Sequence, residues 1–113
     1  MSRDDSAVRL RHMLDYAREA VALAQGKSRA DLDTDRLLNL ALVHLVTLVG
    51  EAANHVSAEV QSQHALIAWP LIISMRNRLI HGYDIVDFDI LWQTIVEDLP
   101  PLISALEEIV TLD

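Results

Sequence analysis

The residues best suited to chemistry at a phosphate lie close together in the sequence. Residues 60–83 contain no acidic side chain, although the whole chain has 17 Asp and Glu. Arg76, Arg78, His64 and His81 all lie in this stretch. Arginine presents a planar, permanently charged fork that fits phosphate oxygens, and histidine exchanges protons near neutral pH. The stretch is therefore suited to hold a phosphodiester and move protons at it. The plainer alternative is that these cations lie in the last turn of a helix, where the helix dipole favours positive charge.

The spacing of Arg76 and His81 constrains how they can meet. Five residues on a regular helix separate two side chains by about 140°, whereas Asn77 and His81, four apart, share a face. Arg76 and His81 therefore cannot converge on one phosphate from a continuous helix. Two alternatives remain: the helix ends at Ile80 and Gly82 turns the chain back, or a second subunit completes the site.

A second group of polar residues follows one face of a predicted apolar helix. At about 100° per residue these residues fall within a sector of roughly 100°. Such a stripe faces a cleft or a partner subunit, unless each member finds its own hydrogen bond inside the core. The stripe consists of His44, Thr47, Glu51, Asn54 and His55.

Part of this stripe also permits a different function, a metal-binding bundle. Glu51 and His55 are four residues apart on one face, a spacing that can hold a metal ion, and His44 lies nearby on the same stripe. Ferritin-like metal sites, however, need carboxylates repeated on several helices, and the sequence has no such repeat.

Four helices must position these residues. Their apolar positions recur at helical spacing, and candidate caps mark their ends. The first helix follows residues 4–6 and stops at Gly26, and the second begins near residues 33–35 and runs to about Val60. The third begins at Trp69 and Pro70 and runs to Gly82. The fourth begins near Asp87 and is kinked by Pro100 and Pro101.

Length and composition favour a single all-α domain. The 113 residues match the commonest domain size, and 51% are hydrophobic while 23% are charged, as in a folded globular chain. Three Gly and three Pro leave few turns, and 4% aromatic residues argue against a β-sandwich or barrel. The sequence predicts one domain, residues 1–113, built as an up-and-down bundle of four main helices with a kinked last helix.

Charge and cysteine content limit the environment and the partners. A net charge of −8 makes whole-surface attraction to nucleic acid or anionic lipid unfavourable, so a polyanion must meet a local basic patch. The absence of cysteine excludes disulfides and thiolate metal sites and fits the cytoplasm. The N-terminus lacks the apolar core of a signal peptide, and the apolar run 37–50 is short and partly polar for a bilayer span, so we expect no membrane association.

Residues 76–83 carry a recognisable motif. Arg76-Asn77 followed by His81 and Tyr83 has the R-N-x-x-x-H-x-Y pattern of HEPN-domain proteins. Segment 49–53, Trp69 and segments 91–92 and 98–100 extend this likeness to about residues 38–110. The sequence resembles in particular the HepT-like toxins, which are paired with a small MntA-like nucleotidyltransferase antitoxin.

This resemblance implies a fold and a function. The implied fold is a HEPN-type helical bundle that dimerises, so that two motifs meet in a shared cleft. The implied activity is that of a ribonuclease toxin that cleaves RNA without a metal ion or other cofactor. Arg76 and His81 match the catalytic pair, Asn77 their polar support, and Tyr83 the tyrosine that the antitoxin adenylylates. Arg78 and Glu51 are expected in supporting positions.

Two functional classes therefore remain to be compared. The first is an endoribonuclease toxin in which His81 acts as general acid or base and Arg76 stabilises charge on the phosphoryl oxygens. The second is a non-catalytic helical module that only docks to the nucleotidyltransferase. The acidic surface favours the second class, and the presence of both Arg76 and His81 favours the first.

Overall fold

The computed structural model describes residues 4–83 and 85–111, and within them the fold is helical with a single short β-hairpin. The all-α prediction is therefore confirmed. A π-helical turn, Thr94–Asp98, joins the last two helices. The other elements are α1 Ser6–Ala24, α2 Asp31–Thr34, α3 Arg36–Asn54, α4 Ala58–Gln63, α5 Trp69–Ile73, α6 Met75–Leu79, β1 Ile80–His81, β2 Ile85–Val86, α7 Phe88–Gln93 and α8 Leu99–Thr111.

The three long helices α1, α3 and α8 build the core. Helix α1 packs against both α3 and α8, and its apolar positions recur every three or four residues, as burial of one helical face requires. Fully buried side chains come from all three helices, including Leu14, Leu42 and Leu106. The short elements between α3 and α8 lie along this core and carry residues 76–83.

Local caps place several helix ends where the sequence predicts them. Asp35 begins α3 by accepting a hydrogen bond from the Leu38 N–H at 3.0 Å. Asp87 begins α7 in the same way, through the Ile90 N–H at 3.1 Å. Helix α1 ends at Ala24, and Gly26 follows it with φ of +75°, the left-handed conformation that glycine adopts without strain.

The predicted second helix is wrong at its C-terminal end. Helix α3 stops at Asn54, and a separate helix, α4, covers the region near Val60. Ser57 is the physical reason, because its Oγ accepts a hydrogen bond from the Val60 N–H at 3.2 Å and so caps a new helix. The Ser57 N–H in turn donates to Ser6 Oγ at 2.9 Å, which fixes this turn against α1.

The predicted third helix is also wrong in its continuity. The helix is interrupted at Ser74, between α5 and α6, and the Ser74 Oγ donates a hydrogen bond to the Pro70 carbonyl at 2.8 Å. Serine side chains that bond the preceding turn in this way compete with the regular helix ladder. Helix α6 then ends at Leu79 rather than Gly82, because residues 80–86 form the hairpin.

The last helix is irregular one turn earlier than predicted. The widened π-turn at residues 94–98 lies immediately before Pro100, and the Leu99 N–H bonds the Thr94 carbonyl five residues back. Pro100 has no N–H, and its ring crowds the carbonyl of Val96 in a regular helix. The wide turn relieves this conflict upstream of the two prolines, so helix α8 begins at Leu99 and contains both of them.

Helix α7 is held by an arginine from the connection after α1. Arg29 contacts Asp89 through Nε at 2.5 Å and Asp33 through a terminal nitrogen at 3.0 Å. Its guanidinium carbon also lies 5.9 Å from the centre of the Phe88 ring, a cation–π distance. Hydrogen bonds to Asp89 and then Asp33 raise the pKa of the Arg29 guanidinium above its ordinary value. These contacts fix the first turn of α7.

Helix α3 is long and apolar enough to cross a bilayer when judged by length and composition alone. Half of its apolar stretch is buried inside the bundle, as is typical of a core helix. Its close contact with α5 occurs at Gly50, where an added Cβ would lie 3.1 Å from the Ile72 carbonyl oxygen and 3.2 Å from that of Ile73. A side chain at this position would therefore crowd two backbone carbonyls, and glycine permits the close approach of α3 and α5 without that crowding.

We predict that Gly50→Ala destabilises the fold. Alanine gains about 1 kcal/mol of helix propensity over glycine, but its methyl group collides with two backbone carbonyls, which cannot rotate away as a side chain can. We expect a net loss of about 1–3 kcal/mol in the free energy of unfolding, measured by urea denaturation. Asn54→Ala, at an exposed position of the same helix, is the control and stays within about 0.5 kcal/mol. Equal stability of both variants would contradict the prediction.

Candidate active site

Residues 76–83, here called the motif segment, cross the junction between α6 and the hairpin. Met75 and Leu79 are fully buried on one face of α6, so the residues between them point elsewhere. Arg76 and Asn77 are exposed, and Arg78 is half-buried. The burial of two apolar anchors four residues apart thus sets the rotation of α6 and presents the polar side of the motif to solvent.

His81 lies outside the helix, on strand β1. The strands pair antiparallel, with Ile80 opposite Val86 and His81 opposite Ile85. Gly82 has φ of +77°, a backbone conformation that side-chain-bearing residues rarely adopt, and it opens the turn after His81. The helix thus ends before His81 and Gly82 turns the backbone, which is the geometry of the first alternative that the spacing left open.

The two arginines of the motif segment have different environments. A terminal nitrogen of Arg78 contacts Asp98 Oδ2 at 3.2 Å and Thr94 Oγ1 at 3.4 Å, both on the π-helical turn. Arg78 Nε is buried without a hydrogen-bond partner among residues 4–83 and 85–111. The Arg76 side chain forms no hydrogen bond or ion pair within the same described ranges. Arg78 is therefore a structural link between α6 and the π-helical turn, while the Arg76 side chain is available to a ligand.

An open cleft of about 500 Å³ adjoins the motif segment. Its lining residues are Asn77, Arg78, Ile80, His81, Ile90, Gln93 and Asp98. Arg76 and Tyr83 do not line this cleft. The structure thus brings Asn77, Arg78 and His81 together within one chain and leaves Arg76 on a neighbouring surface.

His81 has a carboxylate close to its ring. The distance from His81 Nε2 to Asp87 Oδ2 is 3.7 Å, an ion pair when the imidazole is protonated. Both side chains are partly exposed. The sequence predicts only a capping role for Asp87, and its motif does not include Thr94 or Asp98. The short turn that places Asp87 six residues after His81 is the one local signal for this contact.

Tyr83 lies at the tip of the hairpin and is 99% exposed. It follows His81 by two residues, and the turn glycine separates them. The hydroxyl is therefore accessible from solvent at the edge of the motif segment, as a site of enzymatic modification requires.

Glu51 is exposed on α3 and does not line the cleft. The polar stripe of α3 is exposed at four of its positions, and Thr47 bonds the Val43 carbonyl at 2.8 Å. His55 Nδ1 lies 2.8 Å from the Glu51 carbonyl oxygen. Across the described residues no three His, Asp or Glu lie close enough to hold a metal ion, so His44, Glu51 and His55 form no such cluster.

Together these features define a class: a small helical bundle that presents an exposed arginine and a carboxylate-paired histidine at a helix–hairpin junction. The family model for ribonuclease HepT-like proteins matches residues 13–109. The chain belongs to the HepT-like ribonuclease family. The predicted family is thereby confirmed, and so at the level of the family is the prediction of an RNA endonuclease.

Individual relatives support this assignment. A protein of Caldanaerobacter subterraneus subsp. tengcongensis, provisionally named an RNase, is 32% identical over 100 residues, which cover 88% of this chain and 89% of the relative. A protein of Thermococcus cleftensis, provisionally named ribonuclease HepT, is 30% identical over 95 residues, covering 80% of this chain and 86% of the relative. A Methanocaldococcus jannaschii protein, also provisionally named an RNase, is 22% identical over 107 residues, which cover 95% of this chain and 98% of the relative. No solved structure matches the chain significantly.

We predict different stabilities for alanine variants of the two arginines. Arg78→Ala leaves the Asp98 carboxylate and Thr94 hydroxyl without their common partner, so we expect a loss of about 1 kcal/mol, limited by the partial exposure of the pair. Arg76→Ala removes an exposed side chain and changes stability by less than about 0.5 kcal/mol. Thermal denaturation of both variants tests this difference. A larger loss for Arg76→Ala would contradict the assignment of roles.

Proposed function

We propose that this protein is the endoribonuclease toxin of a toxin–antitoxin pair, that it acts in the cytoplasm, and that it cleaves RNA without a metal ion. Family membership supports the ribonuclease class. The observation that carries the finer proposal is the placement of Arg76, Asn77 and His81 on an exposed helix–hairpin junction. The acidic protein thereby offers phosphate a local cationic surface despite its net charge of −8.

The proposed reaction is an internal transesterification of RNA. The ribose 2′-oxygen loses its proton and attacks the adjacent phosphorus, and the bond from phosphorus to the 5′-oxygen breaks. A 2′,3′-cyclic phosphate remains on one product, and the departing 5′-oxygen takes up a proton. His81 acts as general base or acid, while Arg76 stabilises the charge that develops on the phosphoryl oxygens and Asn77 supports the site by hydrogen bonding.

We further propose that the working site forms between two copies of the chain. Arg76 lies outside the cleft that contains His81, so a second copy is the source of an arginine on the open side. Helix α3 also has an uncovered face, because Leu37 is 82% exposed and Leu40 is 48% exposed. These leucines continue the polar stripe of α3 along the same side of the helix, a surface that suits a homodimer also involving the start of α7.

The proposed control of the toxin is adenylylation of Tyr83 by a nucleotidyltransferase antitoxin. The tyrosine oxygen attacks the α-phosphorus of ATP, an O–P bond forms, and pyrophosphate leaves. The full exposure of Tyr83 and its position two residues from His81 support this proposal. The added AMP carries a phosphate and a base next to the motif segment, where it competes with substrate RNA for the same space and for Arg76.

We predict that His81→Ala or Arg76→Ala lowers RNA cleavage by about 100-fold or more while the fold is kept. Both residues are exposed, so their truncation leaves no cavity in the core. Cleavage of a fluorescent RNA by the purified protein in the presence of EDTA measures the effect, and circular dichroism checks the fold. A folded wild-type protein that binds a nucleotidyltransferase but cleaves no RNA would instead support the non-catalytic docking module.

We predict that the two inactive variants restore activity when combined. If Arg76 and His81 of one site come from different subunits, a heterodimer of Arg76→Ala and His81→Ala contains one complete site. With random pairing half of the dimers are heterodimers, so about a quarter of wild-type activity returns after co-refolding. Each variant alone is the control, and light scattering verifies the dimer. A monomer at micromolar concentration, or no recovery on mixing, would contradict the shared site.

We predict that Tyr83→Phe keeps its nuclease activity but escapes silencing. The substitution removes only the exposed hydroxyl that accepts AMP, so the fold and the cleft remain. Co-expression with the antitoxin and ATP, followed by peptide mass spectrometry, shows AMP on the wild-type peptide and none on the variant. Tyr16→Phe, a conservative change on α1, is the control. Equal silencing of Tyr83→Phe and wild type would mean that the antitoxin masks the site sterically.

A further inference from the structure

We propose that Asp87 is a positioning residue for the His81 imidazole. The proposal rests on the catalytic role proposed for His81 above, and it assigns to a helix-capping carboxylate a second task in the reaction. Asp87 holds the His81 ring by its Nε2 edge, so that Nδ1 is the nitrogen presented to the phosphodiester.

The hairpin register places the two side chains on one face. His81 pairs with Ile85 across the two strands, and Asp87 lies two residues beyond Ile85 along the chain. Side chains two residues apart on an extended segment point the same way, so Asp87 is the diagonal neighbour of His81. The 3.7 Å distance from Asp87 Oδ2 to His81 Nε2 follows from this geometry.

Asp87 is itself fixed by three other hydrogen bonds. Its Oδ1 accepts from the Ile90 N–H at 3.1 Å, and its own N–H donates to the Leu79 carbonyl at 2.8 Å. Its carbonyl accepts from the Leu91 N–H at 3.0 Å. One carboxylate oxygen is thus used to cap α7, while the other, Oδ2, faces the histidine from a rigid support. A carboxylate that is fixed by a helix cap through one oxygen orients a ring through its other oxygen more firmly than a carboxylate on a freely rotating side chain does.

The chemistry of the pair sets the tautomer of His81. A carboxylate only accepts hydrogen bonds, so it favours the neutral imidazole that carries its proton on Nε2 and leaves the Nδ1 lone pair for proton abstraction. A separation of 3.7 Å is longer than a direct hydrogen bond. Such contacts shorten when substrate closes a site, and the direct hydrogen bond that then forms requires the proton on Nε2. Arg78 and Asp98, from α6 and the π-turn, are the other charged groups on this cleft.

The chain supplies a matched control for the capping role. Asp35 caps α3 as Asp87 caps α7, accepting from the Leu38 N–H at 3.0 Å, and no histidine is paired with it. Asn is as good an N-cap as Asp. Asp87→Asn and Asp35→Asn therefore both preserve a cap, whereas only Asp87→Asn turns the acceptor that faces His81 into an NH₂ donor when Oδ1 keeps the cap.

The test combines RNA cleavage kinetics with ¹⁵N spectra of labelled histidine. We expect Asp87→Asn to lower kcat by roughly 10–100-fold with little change in KM, an effect typical of residues that orient a reacting group. We expect the neutral His81 ring to change from the Nε2–H to the Nδ1–H tautomer, with the His81 signal assigned by its loss in His81→Gln. Asp35→Asn changes neither quantity, and Asp87→Glu restores part of kcat because it remains an acceptor.

The outcomes separate this proposal from the proposed function. If wild type cleaves RNA, His81→Ala does not, and Asp87→Asn behaves like Asp35→Asn, the positioning role is overturned while the ribonuclease assignment stands. If wild type shows no cleavage, the proposed function fails, and the tautomer of His81 in Asp87→Asn still decides whether Asp87 orients the ring. An unchanged Nε2–H signal in that variant would overturn the proposal in either case.

Discussion

The hydrogen bond from the Asp87 N–H to the Leu79 carbonyl closes the base of the hairpin that carries His81. It joins the last residue of α6 to the residue that begins α7, and two strand pairs hold the chain between them. Two-residue strands are unstable alone, so the hairpin depends on this closure and on the buried side chain of Leu79 beneath it. His81 is on β1 rather than on α6 because the helix ends here.

This closure also explains the distribution of charge near the cleft. Residues 60–83 are free of acids in the sequence, but folding brings Asp87 and Asp98 from later elements to the same place. Asp98 neutralises Arg78, and Asp87 faces His81. The cationic surface that remains for phosphate is therefore smaller than the sequence indicates, and Arg76 is its main component. In a chain of net charge −8, a compact cationic surface restricts binding to a phosphate that reaches the motif segment itself.

The parts of the fold that sequence analysis predicted are those determined locally. The starts of α3 and α7 follow from Asp35 and Asp87, whose caps involve residues only three positions away. The predicted helix boundaries were wrong where contacts between residues distant in the sequence determine them. The end of α3 depends on Ser57 and its bond to Ser6 in another helix, and the break at Ser74 lies beside the Gly50 contact with α5. The π-turn was missed because its cause, Pro100, acts several residues upstream.

The same distinction applies to the site. The motif identified Arg76, Asn77, His81 and Tyr83, since their order along the chain is a sequence property, but it gave no information on which neighbours they have. The supporting position of Glu51 is expected only from the family resemblance, and the residue is exposed on α3. Asp98 was not identified, because the turn that directs it toward Arg78 is irregular and periodicity arguments assume a regular helix.

The separation of Arg76 from the cleft bears on the proposed dimer. Within one chain, the buried pair Met75 and Leu79 fixes the rotation of α6, so Arg76 cannot turn toward His81 without exposing apolar surface. Exposing one such side chain costs about 1.5–3 kcal/mol, more than a surface ion pair to phosphate returns. A second copy can supply the arginine without this cost, because each subunit keeps its own helix rotation. Core packing within one chain thus keeps Arg76 out of the cleft that contains His81, which is the physical argument for the proposed site shared between two copies.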